Sequence, residues 1–189
     1  GVSLSFFEEM WSRNLGHLMV SPLRPSEFIA ALLTMSLVRT LIGMVPASLL
    51  AMWFFGFSVY DLGLSLIVFF INLIVMGWAF GIAVSGLVLR WGLGAESLAW
   101  GLIFAISPLC GVYYPIAILP EWVQPISYAL PATYVFEGMR AILLENTVRW
   151  DLMLAASLLN VVYLSAGVGL FHVYLTAARR RGALLQMGE

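Results

Sequence analysis

Few side chains in this sequence have the types and spacing that chemistry needs. Ser85-Gly86 on one apolar stretch and His172 on another form a nucleophile–base combination, and a serine and a histidine on two membrane helices can together hydrolyse peptide bonds. The surrounding Ala83-Val84-Ser85-Gly86 lacks the glycine two positions before the serine, and both residues fall toward the same ends of their stretches. Ser85 therefore reads as a helix-packing residue and His172 as an interfacial one, with an intramembrane serine protease as the alternative. His17 reads as a polar-face residue, and no pair of histidines or carboxylates has metal-ligand spacing. Cys110 is the single cysteine, so there is neither an internal disulfide nor a cysteine-built metal site; it reads as a small apolar packing residue.

Composition decides the setting. Of 189 residues 62% are hydrophobic and 10% charged, where soluble domains are about a quarter charged. This is a membrane protein. A net charge of −1 cannot neutralise a run of phosphates, which excludes a nucleic-acid binder. All nine basic residues are arginines. A phosphate-binding loop of the Gly-x-x-x-x-Gly-Lys-Ser/Thr type needs a lysine, so any ATPase that drives this protein is another chain. The sequence opens on Gly1 with no cleavable signal pattern, which reads as an internal start of a longer protein.

The elements that position the polar residues follow from apolar periodicity. Residues 5–19 predict a short amphipathic helix, with Phe7, Trp11, Leu15 and Leu18 at helical spacing and Glu9 and Arg13 four apart on the other face. It is too short to span a membrane and lies at an interface or against a partner; Trp11, Arg13, Asn14 and His17 are its candidate contact residues. Ser21-Pro22-Leu23-Arg24-Pro25 stops it. A first span is expected over 26–57, opened by Ser26-Glu27 and interrupted by Arg39 and Pro46. Residues 40–60 suffice to cross, so Arg39 is expected to snorkel to the interface, the alternative being a buried, paired arginine in a pathway. A second span covers 62–89. Its one amide, Asn72, is expected to hydrogen-bond between helices rather than touch substrate, and Gly77, Gly81, Ser85 and Gly86 line a close-packing side. After a polar loop at 90–100, a third span is expected over 97–114, and a last one over 152–175 before a tail at 176–189.

From the end of the third span onward lie Pro108, Pro115, Pro120, Pro125 and Pro131. An interior proline costs a helix about 3 kcal/mol or more, so these five cannot share one straight helix. The expectation is a helix that rises, breaks and folds back over 115–146 in short apolar pieces, which is tolerated at membrane depth only where protein or water surrounds it. Glu121, Glu137 and Arg140 sit in or beside this hairpin, either as local ion pairs and interfacial anchors or as part of a gate. Arginine counts orient the chain. Arg13, Arg24, Arg90, Arg179, Arg180 and Arg181 lie on one side of the four expected spans. The other side has Arg140 and Arg149 among Asp61, Glu121, Glu137, Glu145 and Asp151. Both ends are expected in the cytoplasm and the hairpin outside.

The pattern Tyr114-Pro115, Leu119-Pro120-Glu121-Trp122, Pro125, Leu130-Pro131-Ala132-Thr133-Tyr134 and Gly138-Met139-Arg140 resembles the outer re-entrant hairpin of type-2 ATP-binding-cassette exporter permeases. Trp11-Ser12-Arg13-Asn14-Leu15 with Ser21-Pro22-Leu23 resembles the cytoplasmic coupling segment of the same family, here residues 5–25. The resemblance covers residues 5 to about 182 and lacks the amphipathic helix and two spans that precede the coupling segment in the family.

It implies an all-α polytopic permease subunit in the inner membrane, paired with a second permease copy or half and with ATPase subunits that hold ATP and magnesium; no cofactor is expected in this chain. It further implies that Phe7, Trp11, Arg13, Asn14, Leu15, His17 and Leu18 meet the ATPase. Pro115, Pro120, Glu121, Trp122, Pro125, Pro131, Glu137 and Arg140 would form the external hairpin or gate. A membrane anchor or assembly protein without transport is the remaining alternative.

Overall fold

The computed structural model describes residues 1–12, 23–56 and 63–181, and all regular structure among them is helical. Helix α1 is Val2–Trp11, α2 Pro25–Phe55, α3 Leu64–Trp91, α4 Glu96–Leu109, α5 Gln124–Tyr128, α6 Pro131–Glu145 and α7 Trp150–Arg181. Three of these, α2, α3 and α7, are long and apolar enough to cross a membrane. At 1.5 Å per residue, the 28 residues of α3 extend about 42 Å, against a hydrocarbon core of about 30 Å. Helix α4 has 14 residues, about 21 Å, so the expected third span is a shorter element that ends five residues before Tyr114. The expected loop at 90–100 is also shorter. Gly92, with φ +71°, stops α3, a 3-10 turn covers Gly92–Ala95, and α4 starts at once. Helix α2 runs through Pro46 without a break.

Two compact units divide the chain. The first comprises Gly1–Met44, Gly77–Ala99 and Leu164–Glu189, and the second Val45–Met76 and Trp100–Tyr163. In the first unit α1 is held by aromatic packing. Phe6, fully buried, meets Phe28 edge-on at 6.2 Å and Phe171 at 6.3 Å, and Phe28 stacks on Phe171. Small residues let the backbones close up around this trio. A Cβ on Gly81 would sit 2.8 Å from Val2 Cβ, one on Gly86 3.1 Å from Phe171 Cα, and one on Gly167 2.7 Å from the Ala79 carbonyl oxygen. Gly77, expected in the same stripe, has nothing within 4 Å.

The second unit is built on Phe69, Val135, Met153 and Ala156, with Val68, Leu73, Tyr134, Met139 and Ile142 around them. The prolines punctuate its backbone. Pro108 lies in the final turn of α4, and Gly111 turns the chain with φ +66°. Pro115, extended, caps a 3-10 turn at Ile116–Ile118. Pro125 and Pro131 stand in the first turns of α5 and α6, where a missing backbone donor costs nothing. Asn146, in the left-handed region at φ 54°, ends α6.

The glycine contacts generate a paired test. In Gly167→Ala the new methyl meets a backbone carbonyl that cannot step aside, and overpacking costs about 1–3 kcal/mol, while the helix gains about 1 kcal/mol from losing a glycine. Gly169, two residues on and exposed, has nothing within 4 Å, so Gly169→Ala keeps only the gain. Thermal unfolding of the purified protein should show Gly167→Ala melting below Gly169→Ala; equal or reversed melting temperatures contradict the close α3–α7 approach.

Candidate functional site

Glu8 follows the buried Phe6 and Phe7 on α1, and its carboxylate accepts two hydrogen bonds from Arg39 of α2, at 3.1 Å from Nη1 and 2.8 Å from Nη2. Both side chains remain partly exposed. This two-pronged geometry suits the planar guanidinium. The Arg39 hydrogen bonds hold the Glu8 carboxyl below its ordinary pKa, with partial desolvation opposing them. Arg39 is thus paired and partly exposed, and its partner is an acid that helical spacing, read from residue 5 onward, did not single out.

The expected contact face of residues 5–19 changes in consequence. The helix starts at Val2, and its buried residues are Val2, Ser5, Phe6, Phe7 and Met10. Phe7, expected against the ATPase, is 2% exposed and is corrected to an internal packing residue. Trp11 stays half exposed and stacks on Phe7 at 5.9 Å. Arg13, Asn14, Leu15, His17 and Leu18 lie outside the described residues, as do the Ser21-Pro22 stop, most of the turn after α2 and the tail beyond Arg181.

In the second unit the structure gathers part of the expected hairpin set around Arg140 on α6. Arg140 Nη1 donates to Glu137 Oε1 at 2.7 Å, and Nη2 donates to the Gly111 carbonyl at 2.6 Å and the Tyr114 carbonyl at 3.1 Å. Glu137 Oε1 also accepts from the Ile116 amide at 3.0 Å. An arginine and a glutamate one helical turn apart thereby satisfy three backbone groups in the broken stretch after α4. The Tyr114 hydroxyl adds a fourth tie, to the Pro108 carbonyl at 2.7 Å. Both charged side chains are about a quarter exposed. Pro115, Pro120, Glu121, Trp122 and Pro125 are exposed around this knot, whereas Pro131 is buried at the start of α6. The ion pair was legible as an option; its grip on the backbone was not.

Asn72 of α3 is buried and does bond between helices. Its Oδ1 accepts from Asn160 Nδ2 at 2.9 Å and lies 3.2 Å from Ser157 Oγ, and its own amide donates to the Val68 carbonyl. Asn160 Nδ2 also reaches the Asn72 carbonyl at 2.9 Å. Asn160 and Ser157 on α7 were not singled out from the sequence. The available signal was a second amide in an otherwise apolar span, since two such groups in lipid seek each other. The structure does not bring Ser85 and His172 together. Ser85 is fully buried, its hydroxyl donating to the Gly81 carbonyl at 2.8 Å, and His172 is exposed. Cys110 is buried and free.

Chemically, these groups tie backbone and helices together; none of them pairs a nucleophile with a base. A family model described as ABC-2 type transporter matches residues 1–144. No curated protein and no solved structure matches the chain.

Two expectations follow. Hydrogen bonds to a charged group are worth about 1.5–3 kcal/mol, less where water screens them. Arg140→Ala should raise amide hydrogen exchange across residues 110–119 by at least about tenfold. Arg140→Lys should rescue only part of this, because a single ammonium cannot hold the carboxylate and two carbonyls as the fork does. Unchanged exchange in Arg140→Ala would dismiss the clamp.

The second expectation concerns acid. A carboxyl with a depressed pKa contributes stability that is present above its unfolded pKa and lost as pH falls through the lower folded value. The Glu8–Arg39 contribution should therefore be complete at neutral pH and disappear below the usual carboxylate range, about pH 4. Melting temperature against pH should show a small acid-limb drop that Glu8→Gln lacks. Identical acid limbs would mean the pair does not hold α1.

Proposed function

The chain belongs to the ABC-2 type transporter family and is a transmembrane permease component of such a transporter, and on that premise we propose that it works in export driven by ATP hydrolysis in a separate nucleotide-binding subunit. The observation that carries this reading is the family match over residues 1–144. The arginine asymmetry supports cytoplasmic ends and an external 115–146 hairpin. A second permease copy or half completes the pathway.

In this reading residues 5–25 are the coupling segment. Trp11 is the half-exposed aromatic at its described end, and Arg13, Asn14, Leu15, His17 and Leu18 continue the contact. When ATP closes the ATPase subunits they push this segment. Phe6 wedged among Phe28 and Phe171, together with the Glu8–Arg39 pair, passes that displacement to α2 and α7. Export follows when the permease interface opens to the outside. The Arg140–Glu137 knot keeps the proline-broken segment in one shape during that motion.

Aromatic anchors contribute about 2 kcal/mol or more in small docked interfaces, which is roughly thirtyfold in affinity. Trp11→Ala should therefore weaken co-purification of the ATPase by about that factor and lower its transport-coupled turnover, with the permease still inserted. Glu9→Ala should do much less. A Trp11→Ala protein that retains full ATPase association would reduce α1 to a helix that packs on its own chain and lies on the membrane surface.

A further inference from the structure

The last turns of α7 carry a cavity that the transport reading does not use. It is open-sided, and among the described residues it is lined by one face of the helix: His172, Val173, Thr176, Ala177 and Arg180. Its polar residues recur every fourth position, so they form one file along the helix. Their hydrogen-bonding roles differ. The Thr176 hydroxyl donates to the His172 carbonyl at 2.8 Å, leaving its oxygen as an acceptor toward the cavity. His172 offers a ring N–H, and Arg180 offers a permanently charged planar fork suited to phosphate oxygens. Val173, 63% exposed, and Ala177 supply an apolar side between them.

Depth along the helix selects the ligand. From the exposed Arg149–Asp151 pair at one end, residues 152–175 cover 24 positions, about 36 Å, which exceeds the hydrocarbon thickness of about 30 Å. Thr176 and Arg180 therefore stand at headgroup level, with His172 and Val173 at the lip of the acyl region. A cavity there with a cationic fork at one end and an apolar wall at the other matches an anionic lipid, whose phosphodiester and chains are arranged in that order. We infer that the His172–Thr176–Arg180 cavity binds the headgroup phosphodiester of an anionic phospholipid, with Arg180 on the phosphate oxygens, His172 donating a further hydrogen bond, and Val173 and Ala177 against the start of the acyl chains. The charges on the opposite end of α7 carry no such site, because Arg149 is taken up by Asp151, with Nη2 to Oδ2 at 2.6 Å.

The test uses the assembled transporter in nanodiscs of phosphatidylcholine, titrated with phosphatidylglycerol and followed by native mass spectrometry of bound lipid. The expected result is preferential retention of phosphatidylglycerol, weakened about tenfold in Arg180→Gln, as for loss of a charge-assisted contact. Arg180→Lys should fall between, because it keeps the charge and loses the fork. Arg149→Gln, the same charge change at the other end of α7, should stay within about twofold, since its partner neutralises it. Equal retention of both lipids, unchanged retention in Arg180→Gln, or an equal loss in Arg149→Gln would overturn the site. Displacement of the lipid by millimolar inorganic phosphate or glycerol 3-phosphate would overturn the lipid assignment in favour of a soluble phosphate.

Discussion

Backbone polar groups have no water to turn to in an apolar setting, and every one freed by a break in a helix must find a partner in the protein. The stretch after α4 makes that demand most strongly. Pro108 lies in the final turn of α4, Pro115 and Pro120 follow in the stretch itself, Gly111 takes a positive φ, and the 3-10 turn at Ile116–Ile118 cannot satisfy its own ends. Arg140 and Glu137 meet the demand from the next long helix, with one cation on two carbonyls and one carboxylate on an amide. A neutral amide would leave part of this set unmet, whereas a fork and an acid held a turn apart serve three backbone groups while cancelling each other's charge. The core of Phe69, Val135, Met153 and Ala156 can then stay wholly apolar, because the irregular backbone takes nothing from it.

The same logic places the other polar groups. Asn72 and Asn160 are the amides of two apolar helices, and each would be costly in lipid alone. Paired, they fix which faces of α3 and α7 meet, since apolar ridges by themselves tolerate several registers. In the first unit the specification comes from size instead. Gly81, Gly86 and Gly167 mark the close approaches, and the bulky trio of Phe6, Phe28 and Phe171 fills the space beside them.

What the sequence made legible follows from which physics is local. Long apolar runs are local, and α2, α3 and α7 lie within two residues of the expected starts and run within six of the expected ends. Proline and glycine chemistry is local too, so the fragmentation between α4 and α6 was readable, and Pro125 and Pro131 open helices as their fixed φ favours. Pairing across distance is not local. Arg39 could be seen as a costly charge, but its partner Glu8 lies 31 positions away on a helix whose apolar stripe was drawn through Phe7 and Trp11. That stripe missed Phe6, because residues 1–4 were left out of the helix and the phase of the buried face shifted by one position. Asn160 was invisible for a similar reason: one amide in a span attracts notice, whereas its match 88 positions on emerges only once α3 and α7 are packed.

A consequence for mechanism follows from where α1 is tied. A coupling segment can do work on the membrane helices only if the chain beside it is stiff, since a push on a loose strap dissipates in the strap. In the proposed reading the coupling segment of residues 5–25 includes most of α1, wedged through Phe6 and latched through Glu8, and leads into α2, whose first turn is capped by the Glu27 carboxylate on the Arg24 amide at 2.8 Å. Phe28, one residue beyond that cap, touches the same Phe6. Helix α1 and the start of α2 thus converge on one aromatic contact, and in the proposed reading a force on α1 would load both helices together. An apolar wedge resists compression without fixing direction, while the charged latch, half open to water, fixes direction and can exchange partners at little cost. If α1 couples as proposed, that division would suit a joint that transmits motion repeatedly without unfolding.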